Sequence, residues 1–213
     1  MTSYATQQLI TILFRIVFKV QHLMPMHITK LYNRDCLNQT ITTLIVIVCG
    51  LPGVGKTMLA KNLAPLIDAS LLSSDKIRKE LISKPKYTSN KKKLIYDILI
   101  LIAKYLHDAG LNCILDATFN TKRSRKELTE KLDITSQHIH MVECICPERI
   151  AISRLKNRKG DYSDADICIY RKMKRIYQPL EEEHIVVDTS QLTAKENAKQ
   201  IAEMMLKEEG SSN

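Results

Sequence analysis

No acidic residue occurs before Asp35, no tryptophan occurs anywhere, and the six cysteines spell no Cys-x-x-Cys. The cysteine pattern removes a class of function. Without a Cys-x-x-Cys, and with no two of the six histidines at paired ligand spacing, the usual patterns for a zinc site are missing. Cys144 and Cys146 stand two apart, which on a strand puts them on one face. No secretory signal is recognised either, so reduced thiols and a cytoplasmic location are expected rather than disulfides. Aromatic residues make up only 5% of the chain, and Tyr162, Tyr170 and Tyr177 read as packing residues rather than stacking platforms for bases.

The acid-free start is also the least ordinary stretch in composition. Leu9 to Val20 is apolar except for Thr11, Arg15 and Lys19. With Gln8 and His22 these fall at spacings of three and four, so a helix there would carry one narrow polar stripe. The stretch is too short and too charged to span a bilayer, which takes about 20 apolar residues. Three readings stay open: an interfacial membrane helix over residues 9–20, an organelle transit segment, or upstream sequence before a start at Met24 or Met26. Residues 1–42 are therefore set apart as an extension.

The rest has the composition of a globular domain, with 45% apolar and 26% charged residues in a chain of 213. A formal charge of +9 points to anionic partners, although lysines that merely solvate a surface also produce it. From residue 43 to 209 a single domain is expected, with strands at 43–49, 69–73, 111–116, 138–145 and 184–188. Helices are expected at 56–66, 74–83, 91–109, 121–132, 147–158, 164–178 and 193–208. Alternation of this kind implies a parallel sheet with helices on both faces, an α/β/α sandwich. Gly110 is suited to end the third helix, Ser74-Asp75 and Thr121 to begin two others, and Ser163 or Asp164 to cap the helix after the break at 160–165.

Three of the six glycines fall within Gly50-Leu51-Pro52-Gly53-Val54-Gly55-Lys56-Thr57, between an apolar β-branched run and Met58, the next residue of a helix. This is the phosphate-binding loop pattern in its strand-loop-helix setting. Glycines let the loop wrap and turn consecutive N–H groups inward, and the helix beginning near Lys56 adds its dipole. Lys56 would reach the β- and γ-phosphates, and the Thr57 hydroxyl would ligate Mg²⁺. No Asn-Lys-x-Asp element reads guanine, so ATP is favoured over GTP.

Ligands of open α/β sheets bind beyond the carboxyl ends of the strands. Asp75 and Arg78, after the second strand, lie three apart and share a helix face. An aspartate there would take the proton of an attacking hydroxyl, with Arg78 steadying phosphates; an N-cap and a solvated arginine explain the fragment equally well. Asp116 ends the third strand, where an acid that holds Mg²⁺ is expected. Ala117 follows it, not the glutamate that commonly orients water in ATPases, so transfer to an acceptor is favoured over hydrolysis. Basic residues crowd 149–175, and Arg154 and Arg158 lie four apart on one helix face. Two basic helices around a break suggest a lid over phosphates at about 154–178. Lys91-Lys92-Lys93 is a surface run or a hint of an anionic acceptor. Asp188 is either a turn former or a neighbour of the nucleotide base.

These blocks together resemble the P-loop kinases of the polynucleotide kinase, zeta toxin and gluconate kinase type, and the small AAA family ATPases grouped with them. The resemblance spans about residues 44–190, through 50–57, Ser-Ser-Asp-Lys-Ile-Arg-Lys-Glu-Leu at 73–81, Ile-Leu-Asp-Ala-Thr-Phe at 114–119, and Arg154 to Pro179. It implies a three-layer fold with a five-stranded parallel sheet and helical lid, and transfer of the ATP γ-phosphate to a hydroxyl acceptor. By similarity Asp75 is the acceptor-activating aspartate, Arg78 a phosphate-side arginine, and Arg154 and Arg158 the lid arginines. Ala117 and Phe119 interrupt the Asp-Thr-Asn element of polynucleotide kinases. An ATPase or switch module without a small acceptor, and a nucleic-acid kinase acting on 5′-hydroxyl ends or tRNA, remain as alternatives.

Overall fold

The computed structural model describes residues 43–81, 89–157 and 165–210. Two compact units divide the chain. One is Thr42–Lys79 with Pro85–Asn213, and the account below concerns it; the other, Met1–Ile41 with Glu80–Lys84, falls outside the described residues except for Glu80 and Leu81. The amphipathic stretch 9–20, Arg158, Tyr162 and the break at 160–164 also lie outside them.

Five strands form one sheet: β1 (Ile45–Cys49), β2 (Ala69–Ser73), β3 (Asn112–Asp116), β4 (Ile139–Ile145) and β5 (Ile185–Asp188). All pairings are parallel, in the order β2-β3-β1-β4-β5. Every residue of central β1 is fully buried, as a strand covered on both faces must be, hence its unbroken Ile-Val-Ile-Val-Cys run. Helix α1 (Lys56–Leu63) packs with α7 (Ala194–Gly210) on one face, where Leu59, Leu63, Ile201 and Met205 meet Val46, Val48, Val142 and Val187. Helix α3 (Ser89–Asp108) packs on β3 and on α4 (Lys122–Leu132). The remaining helices, α2 (Ser74–Leu81), α5 (Glu148–Asn157) and α6 (Ile167–Ile176), follow β2 and β4. The result is the expected three-layer α/β/α arrangement.

Local chemistry sets the helix ends. Thr121 caps α4 with a reciprocal bond pair to Ser124, as the sequence suggests. Behind α3, Gly110 takes a φ of +73°, and its N–H and that of Leu111 cap His107 and Leu106. Two expectations need correction. The helix expected over 56–66 stops at Leu63, and a 3₁₀ turn carries Ala64–Leu66, since Pro65 lacks the N–H to continue it. The cap of α6 is Asp166, which accepts the Ile169 N–H at 2.8 Å, not Ser163 or Asp164, so the helix opens at Ile167. Packing explains the choice, because this start buries Tyr170 against Ala151 and Leu155 of α5.

Cys49, Cys113, Cys144, Cys146 and Cys168 are free thiols, and burial pushes those of Cys49, Cys113 and Cys144 up to about 12. Cys144 sits in β4 while Cys146 lies just beyond that strand. Among the described residues, no helix is long and apolar enough to cross a membrane, and no three His, Cys, Asp or Glu side chains gather as a metal-binding group.

Candidate active site

Register aligns the carboxyl ends of the strands. Asp116 pairs with Val48 of β1 and with Ser73 of β2, and Asp188 with Ile145 of β4. The loop after β1, the start of α2, the end of β3 and the turn after β5 therefore meet at one edge of the sheet. Between them opens a cleft of about 630 Å³.

The loop 50–57 forms one wall. Pro52, Gly53, Gly55, Lys56, Thr57 and Met58 line the cleft. Leu51 instead packs into the hydrophobic clusters, Val54 is buried, and the Gly50 N–H donates to the Thr118 carbonyl at 3.4 Å. Gly53, with φ +80°, lies against α5: a Cβ there would stand 2.7 Å from the Ala151 carbonyl oxygen and 2.9 Å from Leu155 Cγ. Only glycine combines that backbone with that approach. Lys56 Nζ donates to the Leu51 carbonyl at 2.8 Å, which folds the lysine over its own loop. The first turn of α1 carries no acidic residue that would compete for its amides.

Asp116 is 4% exposed. Thr57 Oγ1 donates to its Oδ2 at 2.7 Å. Burial raises the carboxyl pKa, the Lys56 charge and the Thr57 hydroxyl oppose the rise, the Asp75 charge adds to it, and the Ser73 hydroxyl lowers it. A buried carboxylate that favours a nearby cation, beside a hydroxyl oxygen, is a hard-oxygen donor set suited to Mg²⁺. Ala117 is buried and places no carboxylate next to it.

Asp75 lines the cleft in the first turn of α2. Arg78 Nη2 lies 3.1 Å from Asp75 Oδ1, with the arginine side chain 10% exposed and the aspartate 40%. Arg78 itself does not line the cleft; it reaches the site through Asp75. Arg154 lines the cleft and is held by Thr189: Nη1 donates to Thr189 Oγ1 and Nη2 to the Thr189 carbonyl, each at 2.8 Å. The same hydroxyl donates to the Val54 carbonyl at 2.6 Å, so Thr189 links the α5 arginine to the phosphate-binding loop. Asp188 is a turn former, accepting from the Ser190 N–H and hydroxyl at 2.9 and 2.6 Å.

The helix after the break departs from expectation. Ile169 and Met173 of α6 face the cleft with Ala165, while Arg171, Lys172, Lys174 and Arg175 are exposed, and Lys174 pairs with Glu148. The apolar side of α6 thus forms the wall, and its basic side faces away. Sequence reasoning also missed Arg125, 1% exposed in α4. Its spacing to Leu128 and Leu132, the other buried positions of α4, was the available signal, since it sets an arginine on an apolar stripe.

A family described as an AAA domain matches residues 45–180. Two proteins described as uncharacterized, from Mycobacterium tuberculosis and Mycobacterium bovis, are 26% identical over 139 residues, 60% of this chain and 28% of theirs. The chain thus spans less than a third of the length of these curated relatives. Among solved structures, a sugar kinase from Janibacter superposes with a TM-score of 0.60 at 19% identity, over 75% of this chain and 92% of that one. An APS kinase of Mycobacterium tuberculosis, in complex with AMPPNP and APS, gives 0.60 at 19% over 78% and 98%. A gluconokinase from Sinorhizobium meliloti gives 0.56 at 14% over 80% and 99%. At such identities the likeness is one of fold.

Proposed function

The chain belongs to the AAA domain family and has the P-loop kinase fold, and from that premise we propose that it is an ATP- and Mg²⁺-dependent phosphotransferase with a hydroxyl acceptor. One observation carries the reading: Lys56, the Thr57–Asp116 pair and Asp75 all line a single cleft at the carboxyl edge of the sheet. A donor-phosphate cradle, a hard-oxygen pair and a half-exposed carboxylate in one cavity are the parts that phosphoryl transfer needs.

In this reading the loop amides and Lys56 hold the β- and γ-phosphates. Thr57 and Asp116 hold Mg²⁺, which neutralises charge on the phosphate oxygens when bound. The acceptor hydroxyl enters beside Asp75. Its oxygen forms the new bond to the γ-phosphorus, the bond from that phosphorus to the bridging oxygen breaks, and Asp75 takes the hydroxyl proton. Arg78 orients Asp75 through their ion pair. Arg154 adds charge at the donor end, where Thr189 holds it, with Arg158 as the second lid arginine. The apolar wall of Ile169 and Met173 limits water in the donor cleft. The residue after Asp116 is an alanine, which supports transfer over hydrolysis.

The test is a screen with labelled ATP against nucleosides, sugars, antibiotics and 5′-hydroxyl RNA, followed by Asp75→Asn. Transfer is expected to fall by about 10²–10⁴ with ATP binding retained. Full transfer by the variant would remove Asp75 as the base. The net charge of +9 favours a nucleic-acid acceptor as the second reading. Steep loss of oligonucleotide binding with salt, together with labelling of 5′-hydroxyl ends, would establish it.

A further inference from the structure

Arg125 is buried yet lines no part of the cleft. Its guanidinium spans two segments far apart in the chain. Nη1 donates to the Phe119 carbonyl at 3.2 Å and to the Gln178 carbonyl at 3.0 Å, and Nη2 donates to the Pro179 carbonyl at 2.8 Å. A Glu182 carboxylate oxygen lies 3.7 Å from Nε. Further bonds fasten the same two segments. The Gln178 N–H donates to the Asn120 carbonyl at 2.9 Å, and the Lys122 N–H donates to Gln178 Oε1 at 2.7 Å. Beyond them, Tyr177 donates its hydroxyl to Glu143, and His184 Nε2 lies 3.4 Å from that carboxylate.

A buried guanidinium is an expensive way to fill a core, and an apolar side chain of similar volume would pack there without desolvating a charge. What arginine alone supplies is a rigid fork that serves two backbones at once. The two backbones here lead to separate elements that line the cleft. Phe119, whose φ of +39° is unusual for a residue other than glycine, directly follows cleft-lining Thr118 and stands three residues after Asp116. Gln178 stands two residues after the end of α6, whose Ile169 and Met173 also line the cleft.

We infer that Arg125 is a positioning residue: its fork ties the loop that follows Asp116 and Thr118 to the strap that ends α6, and so fixes the metal-side carboxylate relative to the α6 side chains that line the same cleft. The inference rests on the reading of Thr57 and Asp116 as the Mg²⁺-holding pair. Arg125 touches no ligand; it acts through the loop after β3.

The test needs no acceptor. ATP binding is measured in EDTA and across a Mg²⁺ titration, with melting temperature alongside, for the unaltered protein, Arg125→Lys, Gln178→Ala and Glu182→Gln. Arg125→Lys keeps the charge but reaches one segment only. Its Mg²⁺ midpoint is expected to rise by about tenfold or more, as on loss of support around a metal ligand, with binding in EDTA unchanged. Gln178→Ala removes a single bond at the protein surface, leaves the fork intact, and moves the midpoint the same way by a smaller factor; it serves if Arg125→Lys fails to fold. Glu182→Gln leaves every carbonyl bond in place and leaves the midpoint where it was. Variants that melt earlier but keep the original Mg²⁺ midpoint, measured well below their melting temperatures, overturn the inference and leave a purely structural arginine. Absence of Mg²⁺-dependent ATP binding in the unaltered protein would instead overturn the donor-site reading, and the inference with it.

Discussion

Alanine at Gly53 and alanine at Gly110 impose nearly the same backbone penalty on this protein, with very different surroundings. The two φ values are +80° and +73°. Forcing an L residue into that region costs about 1 kcal/mol, and the loss of chain entropy in the unfolded state is the same for both replacements. At Gly110 nothing lies within 4 Å of the new Cβ, so only the backbone term remains. At Gly53 the Cβ would meet the Ala151 carbonyl at 2.7 Å, part of a helix backbone that cannot turn aside as a flexible side chain can. Overpacking of that kind adds about 1–3 kcal/mol. For a domain of this size 1 kcal/mol moves the melting temperature by about 2–4 °C. Gly53→Ala should therefore melt roughly 2–12 °C below Gly110→Ala. Scanning calorimetry on the pair reads the difference, and the unfolded-state contribution cancels. A nucleotide titration reads the second consequence: loop amides displaced from α5 no longer converge, and ATP affinity should fall by at least about tenfold, equivalent to 1.4 kcal/mol. If the two variants melt together and bind ATP equally well, contact with α5 does not shape the loop.

Thr189→Val keeps the side-chain volume but leaves the Val54 carbonyl without its donor and Arg154 Nη1 without its acceptor. A loss of about 1 kcal/mol in stability and a severalfold weaker ATP affinity are expected, both restored by Thr189→Ser; equal behaviour of the two variants would remove Thr189 as the link. His107 predicts a pH effect at the opposite end of β1. Its Nδ1 lies 2.5 Å from the Thr43 hydroxyl, and its ring 5.5 Å from that of His138. Burial and the facing His138 lower its pKa, which Asp108 partly offsets. A folded-state pKa below the ordinary value of about 6.5 means stability is complete above that pH and declines as pH falls below it. Melting temperatures at pH 7.5 and 5.5 should therefore differ more for the unaltered protein than for His107→Gln, and an equal difference refutes the assignment.

All five strands fall within two residues of the ends expected from the sequence, and central β1 is the plainest of them, because a strand covered on both faces needs an unbroken apolar run and β-branched residues fill it. Thr121 and Gly110 are legible for a similar reason, since a cap acts within four residues of itself. The start of α6 is not. Ser163, Asp164 and Asp166 are all competent caps, and the choice falls to the position that seats Tyr170 on α5. Nor does a count of basic residues over 149–175 reveal which side of α6 turns to the cleft. Ile169 and Met173 occupy it because apolar surface is what the fold buries, while exposed lysines and arginines stay solvated.

The phosphate-binding loop pattern, the aspartates at 75 and 116 and the α/β/α order follow from residue types at short spacing, which is why the sequence by itself determines the P-loop kinase fold and the edge of the sheet where those residues gather. Tertiary structure alone decides what holds that edge in shape. Arg125 meets Pro179 across 54 positions and Thr189 meets Val54 across 135. Such pairs depend on strand order and helix packing, which bring distant backbones within hydrogen-bond reach, and no local pattern encodes them. The same distinction separates Arg78 from Arg125: one sits three residues from its aspartate and can be read from spacing, whereas the other binds three carbonyls that only the folded sheet brings together.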